Sequence, residues 1–252
     1  MLEVIRIPVL KDNYVWLLRS GQTVGVVDPA VEGPVVAELD RAGWRLTHIL
    51  NTHHHNDHVG ANLALKARYG CKIVGPLADR DRIPGIDLAL ADGDNFTLGD
   101  ATARVFDVPG HTRGHIAFWF AGEKALFCGD TLFALGCGRL FEGTPDQMWA
   151  SLLKFRALPD DTRVYCAHEY TQSNARFAVT ADPANAALAA RAGEIDAARA
   201  KGVATVPSLL GVEKATNPFL RADDPALAAT YGLKDRDPAV VFAAIRSAKD
   251  RF

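Results

Sequence analysis

Residues 52–58 read THHHNDH, four histidines and one aspartate in seven positions. The chain has eight histidines in 252 residues, so half of them crowd into this one loop. It follows the apolar run WRLTHIL, which reads as a buried strand delivering the cluster to a strand end. In an extended backbone, residues i and i+2 point to the same side. His53 and His55 can therefore converge on one metal ion, with His54 turned away. Asp57 and His58 follow one turn later and can face a second point. An affinity-tag remnant does not fit, because the cluster is internal and interrupted by Asn56 and Asp57.

Three more polar residues stand directly after runs that should be buried. His111 lies in VPGHTRGH, where Pro109 and Gly110 turn the chain out of a strand; Asp130 closes KALFCGD; His168 ends VYCAH. With the loop they give seven candidate metal ligands: His53, His55, Asp57, His58, His111, Asp130 and His168. Seven exceed one tetrahedral ion, and suit two ions with three terminal ligands each and a shared carboxylate. Asp130 is the natural bridge. Imidazole and carboxylate donors without thiolate fit zinc, iron or manganese and do not select among them.

Two ions about 3.5–4 Å apart can share a water and lower its pKa from about 15.7 to around 7. That supplies a hydroxide nucleophile at neutral pH, and the chain has no GxSxG nucleophile elbow. Asp57 and Asp130 are the candidate catalytic residues, Asp57 as a ligand able to orient the water. A thioester suits such a site, because a thiolate of conjugate-acid pKa about 8.5–9 leaves without a strong general acid.

Outward from the loop, short β-rich runs fill the first two thirds. They include VIRIPVL, NYVWLLRS, QTVGVVD, LTHILNT, KIVG, ATARVFDVP, HIAFWFAG, KALFCGD and TRVYCAHE. PVVAELDRAG and ANLALKARYG carry helical spacing, the first with Gly43 as its C-cap. Strands mixed with helices, many joined by hairpin-short links, predict an α/β (α+β) fold of two stacked sheets with helices outside. From about residue 173 the texture becomes Ala-rich and helical. DPALAATYG and DPAVVFAAIRSAKDRF each open with Asp-Pro, Asp as N-cap and Pro in the first turn. A boundary at residues 172/173 follows, with a small helical domain behind it.

A net charge of −2 gives no global pull toward nucleic acid or membrane. No apolar run reaches the roughly 18 residues of a bilayer span, and the N-terminus lacks the pattern of a secretory signal. The four cysteines form no CxxC pair and read as reduced thiols. The expectation is a cytoplasmic monomer with a small-molecule partner and no nucleic-acid or membrane partner.

THHHNDH, GHTRGH, GDT and CAHEY, in that order, resemble the metallo-β-lactamase superfamily and its four-layer αβ/βα sandwich. The fuller strings GDTLFALGCGRLFEGTPDQM, AHEYTQSNARFA, NPFLR and RSAKDRF resemble the glyoxalase II (hydroxyacylglutathione hydrolase) family over essentially the whole chain. The resemblance implies a catalytic domain over 1–172 and a glutathione-binding helical domain over 173–252. It implies one ion on His53, His55 and His111, the other on Asp57, His58 and His168, and Asp130 between them. Zinc is the leading metal. Arg139, Tyr170, Arg246 and Lys249 match positions that contact glutathione, and Asp28 one that supports the metal loop; a turn-forming Asp before Pro29 is an equal alternative for Asp28. His54 and His115 read as neighbours of the ligands or packing residues, and His48 as structural. Phe141 stands where some members carry Tyr, and Arg139 where some carry Lys.

The implied activity is hydrolysis of S-D-lactoylglutathione to D-lactate and glutathione, in methylglyoxal detoxification. The rival reading is a glutathione-persulfide dioxygenase with one mononuclear iron, which would leave part of the ligand set unused. A superfamily nuclease should add a basic surface, and an inert metal-binding scaffold should have lost a ligand; neither feature is present in the sequence.

Overall fold

Alternating apolar residues in the first 27 positions fold into an antiparallel meander. Its strands are β1 (Glu3–Val9), β2 (Asn13–Ser20) and β3 (Thr23–Val27) in a computed structural model that describes residues 1–252. Contacts divide the chain into two units. One comprises Met1–Asp107 and Arg113–Gly129, the other Val108–Thr112 and Asp130–Phe252.

In the first unit the meander continues into parallel strands β4 (His48–Leu50), β5 (Lys72–Pro76) and β6 (Leu88–Leu90), giving sheet order β1-β2-β3-β4-β5-β6. Parallel neighbours need crossovers, and α1 (Glu32–Ala42), α2 (Asn56–Val59) and α3 (Asn62–Tyr69) occupy them. The helices cover one face of the sheet. Val35 and Leu39 of α1 and Leu65 of α3 pack with Val15, Leu17, Val26, Ile49 and Ile73 in one buried cluster. Gly43 ends α1 in the left-handed region at φ 67°, as the sequence predicts.

A second, antiparallel set of strands follows: β7 (Asn95–Leu98), β8 (Ala101–Asp107), β9 (Ile116–Phe120) and β10 (Ala125–Gly129). It meets the first sheet where the His48 ring contacts Phe96 at 5.6 Å and Ser20 Oγ accepts from the Asp100 amide at 3.0 Å. Both faces of β2 are therefore covered, which is why Trp16 and Leu18 are as buried as Val15 and Leu17.

The second unit holds a tight hairpin of β11 (Leu132–Phe133) and β12 (Gly136–Cys137), helix α4 (Pro145–Arg156), and β13 (Arg163–Cys166) paired with β14 (Ser208–Leu209). The remainder is helical: α5 (Thr171–Ala181), α6 (Ala186–Ala200), α7 (Leu210–Thr216), α8 (Pro225–Thr230) and α9 (Pro238–Arg251). Asp224 and Asp237 cap α8 and α9, each with Pro at the first helical position. By contrast Asn185 caps α6, because the carboxylate of Asp182 is taken by Arg221 and by Asn185 Nδ2.

Some elements differ from the sequence reading. LTHILNT yields a strand of only three residues, since the side chains of Asn51 and Thr52 are drawn to Asn62 and Asp28. Helix α4 was legible and passed over: Thr144 and Gln147 form a reciprocal capping box ahead of Met148, Leu152 and Phe155. Strands β6, β7, β11 and β12 are two to four residues long, too short to show a period.

Leu39 is fully buried against the sheet. Leu39→Ala is expected to lower unfolding free energy by about 2–5 kcal/mol in urea titrations, from lost transfer energy and the cavity left behind. A loss below about 0.5 kcal/mol would mean that this helix face does not carry the core.

Candidate metal centre

The 52–58 loop is built from the buried end of β4. Asp28, at the end of β3, accepts from the Thr52 amide at 2.8 Å through Oδ1. Its Oδ2 accepts from the Thr52 hydroxyl at 2.7 Å and lies 3.1 Å from His58 Nδ1. A carboxylate only accepts, so His58 Nδ1 carries the proton and Nε2 keeps the lone pair that a metal could take. The Thr52 hydroxyl spends its hydrogen on Asp28 and must then accept from His53 Nδ1, 3.0 Å away. His53 is thereby set in the same tautomer. One buried carboxylate fixes two ligating imidazoles, more than a turn-forming role requires.

The chain bends at Thr52 and His53, His55 is extended at φ −60°, ψ 145°, and a single helical turn carries Asn56, Asp57 and His58. His53 Nε2 and His55 Nδ1 come to 3.1 Å, and His58 Nε2 lies 3.5 Å from Asp57 Oδ2. Asn13 Nδ2, at the start of β2, donates to Asp57 Oδ2 at 2.9 Å. His54 turns aside to Asp79 Oδ2 at 3.2 Å, with Arg82 Nη1 3.1 Å from its other nitrogen. His115 stacks on the His53 ring at 4.6 Å. Asp28, His53 and His58, all buried, offer three ligand atoms within 4.8 Å of one another.

The second unit brings together His111, Asp130 and His168. Asp130 Oδ2 lies 3.5 Å from His111 Nε2 and 3.3 Å from His168 Nε2. His111 Nδ1 donates to the carbonyl of Arg139 at 2.9 Å, so its Nε2 also keeps a lone pair that a metal could take. A Cβ at Gly138 would collide with the Asp130 carbonyl and come within 3.1 Å of His111, so only glycine lets these strands close.

These donors fit a divalent metal ion. Two ligands about 2.0–2.1 Å from a tetrahedral ion lie about 3.3–3.4 Å apart. The four separations within the units, 3.1, 3.5, 3.5 and 3.3 Å, bracket that edge. Where tautomers point a nitrogen lone pair at a carboxylate oxygen, the pair repels unless a cation or proton lies between.

The four candidate substrate residues all lie in the second unit. Arg246 is buried and donates to Asp250 Oδ1 at 3.0 Å, while exposed Arg139 approaches the same oxygen at 3.9 Å. Half-buried Lys249 sits over the Phe177 and Phe252 rings, and its Nζ donates to the Ser173 carbonyl. Burial, then the charges of Arg246 and Arg139, push its pKa down to about 8. Two guanidinium groups thus approach one carboxylate, and the Lys249 ammonium feels both of them. Tyr170 is stacked on the His168 ring at 4.6 Å. Nothing in their local sequence marks Asn13, Thr52 and Asp79, and only the long-range pairing of their side chains reveals what they hold.

The fold and donor set define a divalent-metal protein of the metallo-β-lactamase superfamily, whose family model matches residues 10–168. A second model, the hydroxyacylglutathione hydrolase C-terminus, matches residues 169–252. The chain belongs to the hydroxyacylglutathione hydrolase family. It is 62% identical to the hydroxyacylglutathione hydrolase of Methylococcus capsulatus over 255 residues, 100% of this chain and 99% of that one. With that of Rhodospirillum rubrum it shares 54% over 253 residues, again 100% and 99%. Among solved structures, ETHE1 from Myxococcus xanthus superposes with TM-score 0.66 at 23% identity, covering 99% of this chain and 98% of that one. TTHA1623 in a di-iron-bound form gives 0.61 at 26%, covering 86% and 100%.

Asp28→Ala is expected to weaken zinc binding about 10–100-fold, the usual cost of removing an orienting partner, in competition with a chromogenic chelator. Unchanged affinity would show that Asp28 orients neither histidine.

Proposed function

We propose that this chain hydrolyses 2-hydroxyacyl thioesters of glutathione, S-D-lactoylglutathione foremost, to the hydroxy acid and glutathione. The observation that carries this reading is the pairing, in one chain, of His/Asp clusters at ligand-edge spacing with a cationic group in which Arg139 and Arg246 approach Asp250 and Lys249 stands next to it in sequence. Family membership over the full length supports it.

His53, His55 and His111 would hold one divalent ion and Asp57, His58 and His168 the other, with Asp130 shared. Zinc is the metal we assign, with iron and manganese compatible with the same donors. When bound, the pair lowers the pKa of a water and polarises the thioester carbonyl. The chain's own residues do the rest. Asp57, held by Asn13, orients the attacking water and takes its proton. Asp28 keeps His53 and His58 in their ligating tautomers. Water adds to the carbonyl, the C–S bond breaks, and the thiolate leaves without general-acid help. Arg139, Arg246, Lys249 and Tyr170 bind the glutathione moiety, and the segment 173–252 is its binding domain. Exposed Phe141, its ring 5.2 Å from His111, offers an apolar wall where a phenol would offer a hydroxyl. The four cysteines are buried thiols outside disulfides, and no helix is long and apolar enough to cross a membrane. The thiols support our reading of a cytoplasmic enzyme, which we take to act as a monomer on a small-molecule thioester.

The deciding experiment follows loss of the S-lactoylglutathione thioester alongside metal analysis. A kcat/KM above ~10⁴ M⁻¹s⁻¹ with two ions per chain is expected. Negligible turnover, with one iron and oxygen uptake on glutathione persulfide, would overturn the reading in favour of a dioxygenase. Asp130→Ala should lose most of both ions, and retention of two would remove Asp130 from the shared position.

The lowered pKa of Lys249 gives a sign to the pH dependence. Below about 8 the ammonium is charged and attracts the glutathione carboxylate; above it the charge is lost. kcat/KM should therefore fall, through a rising KM, as pH passes about 8. Lys249→Arg should abolish that step, and Lys249→Ala should raise KM while sparing kcat. A step that survives in Lys249→Arg would assign it to another group.

A further inference from the structure

The segment between Asp130 and Arg139 is shaped largely by side chains that arrive from the helical tail. The β11–β12 hairpin exposes five backbone groups at its turn and exit, and each is taken by a distant residue. The Leu135 amide donates to Glu213 Oε2 of α7 at 2.9 Å. Asn217 Nδ2 reaches the carbonyls of Phe133 and Gly136, both at 3.1 Å. Asn174 Nδ2 of α5 donates to the Ala134 carbonyl at 3.1 Å, and Arg246 Nη1 of α9 to that of Cys137 at 2.9 Å.

Glu213 is the centre of this arrangement. Its side chain is fully buried, its Oε1 is paired with Arg191, and Asn217 Nδ2 lies 3.3 Å from its Oε2. Arg191 is fixed in turn by the Thr216 hydroxyl at 2.6 Å. A buried ion pair costs several kcal/mol of desolvation per ion, so it makes a poor source of stability in itself. What it does here is hold one amide: that of Leu135, a non-glycine residue kept at φ 56°. An L-residue enters that region only when its surroundings enforce it.

The ends of the hairpin explain what such enforcement serves. Two residues before it stands Asp130. Two residues after it, the Arg139 carbonyl accepts from His111 Nδ1 and sets that ligand's tautomer. Gly138 N donates to the Thr131 carbonyl at 3.3 Å and closes the base. A shift of the turn would move the Asp130 carboxylate and the His111 ring together.

We infer that Glu213 and Asn217, charge-compensated by Arg191, are positioning residues for the metal centre: the helical tail, beyond binding glutathione, sets the geometry of Asp130 and His111 through the 132–137 hairpin. The inference rests on the metal ligands proposed above, and it assigns no contact between these residues and substrate.

The test compares full-length wild type with Asn217→Ala, Glu213→Gln and Arg156→Met. The last removes a bidentate tail pair with Asp223 that does not touch the hairpin. Zinc affinity is measured by chelator competition, thermal unfolding in excess chelator, and kcat and KM separately on S-lactoylglutathione. Asn217→Ala and Glu213→Gln should weaken zinc affinity about 10–100-fold and lower kcat, with KM changed less than about three-fold. Arg156→Met should leave zinc affinity unaltered. Wild-type zinc affinity in Asn217→Ala or Glu213→Gln, with only a lower Tm, would reduce the clamp to a stability feature and overturn the inference. Should Asn217→Ala not fold, Glu213→Gln still decides, since its single amide oxygen can accept from Arg191 or from the Leu135 amide but cannot replace both carboxylate oxygens. A wild type without bound metal would defeat the functional reading itself, an outcome separate from these.

Discussion

Imidazole nitrogens and carboxylate oxygens 3.3–3.5 Å apart repel one another wherever both present lone pairs and no cation lies between them, and much of this protein is arranged around that constraint. The chain must hold these groups close in the absence of the ion that makes their closeness favourable. It does so with hydrogen bonds to four of the candidate ligands. Asp28 and Thr52 fix His53 and His58, Asn13 holds Asp57, and the Arg139 carbonyl holds His111. Each bond aims a donor atom and fixes its protonation at once, so that a cation is met by lone pairs and not by N–H groups.

The tail combines two duties that are usually separated. Arg246 shows how: one guanidinium nitrogen holds the Cys137 carbonyl and the other faces Asp250, which Arg139 also approaches and Lys249 precedes in sequence. Arg246 thus braces the hairpin on one side and belongs to a cluster of cations on the other. Lys249, held over two aromatic rings, keeps its charge only up to about pH 8 because burial and two neighbouring cations oppose it. An incoming carboxylate relieves that opposition, since it replaces like-charge repulsion with attraction.

Much of this was legible beforehand. His53 and His55 two apart after an apolar run, Asp130 and His168 closing buried strands, and Asp-Pro openings at Asp224 and Asp237 are local signals. Each depends on a periodicity or a cap that a few residues carry by themselves. Strand β4 was over-extended because apolar character continues to Leu50 while the next two side chains leave for Asn62 and Asp28, which no local pattern announces. Helix α4 went unread although TPDQ encodes its capping box, so that omission concerned a visible signal. Glu213, Arg191, Asn217 and Asn174 belong to another kind. As surface-like polar residues in helical text they look solvated, and their burial becomes evident only with the hairpin in place.

The sequence by itself determined which residues can ligate a metal, that they stand at strand ends, and that a helical tail rich in caps follows them. These are consequences of residue chemistry and of short-range backbone geometry. Tertiary structure alone decided which nitrogen of His53, His58 and His111 keeps its lone pair, that Asp28 supports two of these rings, and that the tail grips the hairpin between Asp130 and Arg139. Those facts depend on hydrogen bonds between residues 24 to 109 positions apart. Such bonds form only once the intervening chain is packed, and nothing in either partner's local sequence fixes the other.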